Sequence, residues 1–125
     1  MIRKNLQNKP LTRSQIIKKL DKIYADRVKT RDKYTCQRCF KQTGQLQCSH
    51  YWSRRNMGTR FDLNNLTTLD SYCHRISDSD KHSWYTDYMK KKLGEAGYEK
   101  LRIKALAVTK FPTSDLRFLL EHENP

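Results

Sequence analysis

Apolar residues return every three or four positions from Ile16 onward: Ile16, Ile17, Leu20, Ile23, Tyr24 and Val28, with Lys18, Lys19, Lys22 and Lys29 elsewhere around the wheel. This spacing predicts a helix over 12–31, and Thr12-Arg-Ser-Gln15 offers a capping box at its start. The polar stretch before it contains Lys9-Pro10, a dipeptide unsuited to helix, so residues 1–11 are expected to form a flexible basic arm. Helical periodicity stops at Tyr34. Residues 45–52 alternate as a short strand would, which sets Leu46, Cys48 and His50 on one face, and 66–69 reads as a second strand. Between them, 53–60 reads as an exposed loop and Asn64-Asn65 as a turn. A helix follows over 70–80, then helices over 84–93 (ended by Gly94), over 96–108, and from Pro112-Thr113-Ser114 through His122. The pattern divides one α+β domain, 12–125, into a basic helix (12–33), a central core (34–82) and C-terminal helices (83–125).

Charge changes the picture more than length does. Against 13 Asp and Glu stand 26 Lys and Arg, a net charge of +13 on 125 residues. That imbalance argues against an ordinary enzyme of neutral metabolites and for a polyanionic partner. Eleven of the basic residues fall within the first 33. They form either a solvated face on a packing helix or a surface for DNA. No run of 18 apolar residues suggests a membrane span, and no charged-then-apolar leader is visible, so the expected location is cytoplasmic. Of four cysteines, Cys36 and Cys39 stand three positions apart in Cys36-Gln-Arg-Cys39, a spacing that suits a tetrahedral metal better than a disulfide in a reducing compartment.

The reactive residues of the core come in the order Cys36-x2-Cys39, His50, Asn65, Asp70-x2-Cys73-His74. This order resembles the layout of a ββα-metal nuclease, and the roles that follow are what that resemblance implies. A strand histidine, His50, has an ordinary pKa that lets it take a proton from water at neutral pH. Asn65 would tie the intervening loop and hold that imidazole in its useful tautomer. On the helix, His74 would hold a divalent cation that stabilises charge in the transition state. Asp78, one helical turn on, shares its face. Arg54, Arg55 and Arg60 in the loop suit phosphate oxygens. The bland readings are a core histidine, a turn-forming asparagine and a solvated arginine loop. His82 reads as a surface residue, and Trp84, Tyr85 and Tyr88 as packing.

Through Cys36-Gln-Arg-Cys39, His50-Tyr51-Trp52-Ser53-Arg54-Arg55, Thr59-Arg60-Phe61-Asp62 with Asn65, and Cys73-His74, the chain resembles the HNH (His-Me finger) endonucleases, and within them the phage NinG/Rap recombination nucleases. The resemblance covers roughly residues 30–120. It implies a ββα-metal core with a structural zinc knuckle, a catalytic Mg²⁺ or Mn²⁺, and cleavage of branched DNA such as a Holliday junction or D-loop by a possible homodimer. Two positions depart from the family pattern. Asp70 stands where a second CxxC pair would begin, leaving Cys36, Cys39 and Cys73 with a fourth zinc ligand open among Asp70, Cys48, and a water or histidine. Ser49 stands just before His50, where many relatives have an acidic or histidine metal ligand. The alternatives are a non-catalytic zinc-containing nucleic-acid-binding module, for which Ser49 and Asp70 argue, and a sequence-specific or packaging-type HNH nuclease.

Overall fold

The computed structural model describes residues 9–107 and 110–123. Residues 1–8 of the expected arm, and Val108 at the end of an expected helix, lie outside the described residues. The first helix, α1, spans Arg13–Arg31. Its capping box forms as the sequence predicts: Gln15 N–H donates to Thr12 Oγ1 at 3.2 Å and Thr12 N–H to Gln15 Oε1 at 2.9 Å. Ile16, Leu20, Tyr24 and Val28 form its buried stripe, while the lysines stay outside.

Among the described residues the chain is α+β and mostly helical around one antiparallel strand pair, β1 (Leu46–His50) with β2 (Leu66–Asp70). The register runs from Leu46 opposite Asp70 to His50 opposite Leu66. The first strand is shorter than its alternation suggests, because beyond Tyr51 the backbone of Trp52 turns to bond the Asn65 side chain instead of a strand. The stretch 53–60, expected as a plain loop, holds a short helix, α2 (Met57–Arg60), while the turn expected at Asn64-Asn65 forms as a 3₁₀ turn (Leu63–Asn65). Next comes α3 (Ser71–Ser79), with Asp70 as its N-cap rather than its first residue. A π-helical turn (Lys81–Tyr85) leads into α4 (Thr86–Leu106). Gly94 breaks α4 at φ 74° and ψ 166°, a left-handed conformation that glycine adopts without a Cβ penalty. The two expected helices on either side of it are therefore both present, and α4 is the pair joined across this break. The last helix is α5 (Thr113–Glu123). No helix among the described residues is long and apolar enough to cross a membrane.

Helices cover both faces of the strand pair. On one side, the α1 stripe meets Leu66 and Leu116 and Leu120 of α5; on the other, Leu69 packs with Cys36, Tyr51, Cys73, Tyr85, Met89 and Leu101. Leu66 and Leu69 are an odd number of positions apart, so they face opposite layers, and every residue of β2 is buried. The outer edge of β2 is also closed. Thr68 N–H donates to the Asp32 carboxylate at 2.9 Å, and its carbonyl accepts from Gln37 N–H at 3.0 Å. The Leu66 carbonyl accepts from Arg31 at 2.7 Å and Lys92 at 3.2 Å.

Candidate functional site

After α1, Lys33 and Tyr34 take positive φ values of 56° and 50° and reverse the chain toward Cys36. The knuckle closes on itself: Phe40 N–H donates to the Cys36 carbonyl and Cys36 N–H to the Lys41 carbonyl, both at 2.8 Å. Phe40 completes the turn at φ 65°. Across from it, the junction of β2 and α3 presents Asp70 and Cys73. One ligand atom from each of Cys36, Cys39, Asp70 and Cys73 lies within 4.8 Å of the others. Four donors around a tetrahedral ion with metal–sulfur bonds of about 2.3 Å would stand about 3.8 Å apart, so modest closure would seat one. Asp70 bridges two tasks, since Oδ1 accepts from Cys73 N–H at 2.7 Å while Oδ2 sits 3.0 Å from Cys39 Sγ.

Burial and hydrogen bonds within the cluster set its protonation. The Cys39–Asp70 hydrogen bond raises the Cys39 pKa and lowers that of Asp70. Burial pushes the Cys73 thiol far up. Burial also opposes ionisation of Cys36, yet hydrogen bonds to backbone at Cys39, Asp70 and Arg38 leave its pKa below the ordinary value. Such a cluster could hold a metal such as zinc. Cys48 is not part of it; burial lifts that thiol to about 11 and it lines a different cavity.

That cavity, about 370 Å³, is lined by Cys48, His50, Ser53, Arg54, His74, Asp78 and Lys81. His50 and His74 therefore face one space. His50 Nε2 lies 3.2 Å from the Arg60 carbonyl. A carbonyl only accepts, so Nε2 carries the proton and Nδ1 keeps its lone pair. Burial first, then the Arg54 charge, push the His50 pKa down to about 4, leaving the ring neutral at pH 7. His74 Nδ1 is 2.7 Å from Gln47 Oε1, an arrangement that leaves the Nε2 lone pair pointing 3.2 Å from Asp78 Oδ2. Metal-binding histidines are commonly held this way, with the second ring N–H on an outer oxygen. Two electron-rich atoms facing each other across 3.2 Å suit a proton or a cation between them. A larger groove of about 550 Å³ along α1, by Leu11, Lys18, Lys19 and Lys22, brings together no such pair.

The remaining expected residues divide. Asn65, fully buried, accepts from Trp52 N–H at 2.8 Å and donates to the carbonyls of Trp52 at 3.0 Å and Thr59 at 3.1 Å. It ties the loop, but the hydrogen bond that sets the His50 tautomer comes from Arg60. The Arg60 guanidinium is engaged with Asp21 of α1 through two bonds of 3.0 and 2.7 Å. Arg54 and Arg55 are exposed, and Arg54 reaches the pocket. Ser49 is buried and accepts from the Tyr85 hydroxyl at 2.8 Å, so it faces the end of the π turn rather than the cavity. His82 is exposed on the π turn, Tyr85 is core, and Trp84 stacks on Tyr88 with centroids 4.7 Å apart. Gln47 and Lys81 were not foreseen; only Gln47 left a trace, as a polar residue inside a short strand. Compared with known proteins, the chain matches no family model, no curated protein and no solved structure.

Proposed function

We propose that this protein is a metal-dependent DNA endonuclease with a ββα-metal, HNH-type core. The observation that carries the reading is that His50, at the end of β1, and the His74–Asp78 pair, on the helix after β2, line one cavity. His50 accepts a proton from water at Nδ1 while the Arg60 carbonyl holds Nε2–H. His74 and Asp78 would hold Mg²⁺ or Mn²⁺, ions that take oxygen and imidazole donors with several waters retained. Such an ion supplies Lewis-acid stabilisation to the phosphate and the departing 3′ oxygen. Arg54 and Arg55 meet backbone phosphates, and Arg60 braces the loop that carries them. Zinc in the Cys36, Cys39, Asp70, Cys73 cluster is structural and separate from this exchangeable ion.

The test is nicking of a supercoiled plasmid with Mg²⁺ by wild type and His50→Ala. Metal-dependent nicking lost in the variant supports the reading; wild type that binds but never nicks overturns it. Selectivity for branched DNA, with two sites facing a junction across a homodimer, belongs to the same proposal, and comparison of a four-way junction with linear duplex tests it. A non-catalytic zinc module that binds nucleic acid is the second reading. It is favoured by Ser49, which is turned toward Tyr85 and leaves the pocket with His74 and Asp78 as its paired donors.

A further inference from the structure

Lys81 opens the π turn after α3, and its side chain reaches the same cavity as His50, His74 and Asp78. The ammonium donates to the Tyr51 carbonyl and lies 5.6 Å from the centre of the Tyr51 ring. Tyr51 is itself fixed, buried and hydrogen-bonded to Thr86 at 2.6 Å and Tyr98 at 2.8 Å. Lys81 is partly buried and forms no ion pair within 4.0 Å among the described residues. One carbonyl accepts one of its three N–H groups, which leaves donors for another acceptor. Desolvation lowers its pKa, and only the Asp78 charge opposes this. A half-desolvated, unpaired cation on a rigid aromatic seat is an unfavourable feature of the unliganded fold, and an anion in the cavity would relieve it. π-helical turns, moreover, concentrate at functional sites.

Resting on the nuclease reading, we infer that Lys81 is a catalytic residue, its ammonium donating to a non-bridging oxygen of the scissile phosphodiester. The need for it follows from Ser49. With that strand position turned toward Tyr85, the pocket contributes one carboxylate and one imidazole as its paired donors, and Lys81 supplies fixed positive charge from the turn that follows their helix. Charge grows on the non-bridging oxygens as water attacks, so a preorganised donor is worth more in the transition state than in the bound substrate. Arg54 is exposed and holds the phosphate in both states.

The experiment compares Lys81→Met, Lys81→Gln and Lys81→Arg with wild type on a short duplex in Mg²⁺, with kcat, KM and Tm measured for each. Removing one such donor should lower kcat by roughly 10²-fold while KM stays within about 3-fold and Tm within about 2 °C. Arg restores part of kcat, because it keeps the charge. Gln keeps a donor for the Tyr51 carbonyl but not the charge, so it carries the same expectation as Met should Met fail to fold. A wild-type kcat in Met or Gln overturns the inference, as does a loss in kcat matched by a fall in Tm and not rescued by Arg. If wild type never cleaves, the nuclease reading itself fails and Lys81 loses its role with it.

Discussion

Asp70 touches Cys39 with one carboxylate oxygen, 3.0 Å from the sulfur, while its other oxygen caps the helix that carries Cys73. One side chain therefore couples the metal cluster to the start of α3, on which His74 and Asp78 sit. Substitutions at this position separate the two roles. Asn keeps an oxygen for the cap and loses the charge, whereas Ala loses both. Asp70→Asn should weaken zinc binding alone; Asp70→Ala should add about 1 kcal/mol of lost capping, read as a further drop in Tm at saturating zinc. Equal Tm for the two variants would show that the cap contributes nothing.

Zinc ligation adds folding free energy on the order of 10 kcal/mol where the unfolded chain has no site. Cys39→Ser, or a strong chelator, should thus lower Tm steeply and release one zinc per chain, measurable by metal analysis. His50→Ala should release none. A chelated protein that melts where the untreated one does would remove the structural role from the cluster.

His50 has a folded-state pKa of about 4 against an ordinary 6.5. The folded protein binds fewer protons here than the unfolded chain, so stability rises with pH across this window. The contribution is fully present above pH 6.5 and is lost as pH falls through about 4. The difference in Tm between wild type and His50→Gln should shrink steadily from pH 6.5 to 4; parallel curves would place the ring in water. A base this acidic also predicts cleavage with no histidine limb near pH 6.5.

Asn65 satisfies three backbone groups of the 52–59 loop. Asn65→Ala leaves them bare in a buried place and should cost about 2 kcal/mol, roughly 8 °C in Tm. Cleavage should fall with it, since Thr59, which Asn65 holds, is followed directly by Arg60, whose carbonyl orients His50. Thermal denaturation at wild-type Tm would contradict this accounting.

The arginines should behave as two kinds. Arg54→Ala and Arg55→Ala should each reduce the salt dependence of DNA binding by about one unit of slope and leave Tm unchanged. Arg60→Ala strands Asp21 on α1, so it should lower stability by about 1–2 kcal/mol. Salt titrations beside melting curves distinguish them, and an Arg60 variant that mimics Arg54→Ala would make its ion pair incidental.

Local signals were legible in the sequence where chemistry and geometry are both local. The α1 stripe and its capping box follow from spacing alone, as does the His74–Asp78 pair one helical turn apart. The Cys36-x2-Cys39 knuckle and the Asp70-x2-Cys73 step likewise declared themselves by spacing, though only packing could choose Asp70 over Cys48 as the fourth member of the cluster. What stayed hidden depends on distant partners. Arg60 and Asp21 are 39 positions apart, and nothing near either residue marks the pairing; the same holds for Ser49 with Tyr85 and Gln47 with His74. The short helix at 57–60 stayed hidden because a run rich in Arg, Asn and Gly has no apolar period to read. Asn65 reaches back across this loop to bond Trp52 and Thr59.

The closed outer edge of β2 has one more implication. A two-stranded sheet is all edge, and a bare one invites another chain to add a strand and propagate. Here the Asp32 carboxylate, the Gln37 amide, and the Arg31 and Lys92 cations occupy the outward backbone groups of Thr68 and Leu66. Ladder growth on that side is barred, so a strand added to this sheet would have to enter along β1.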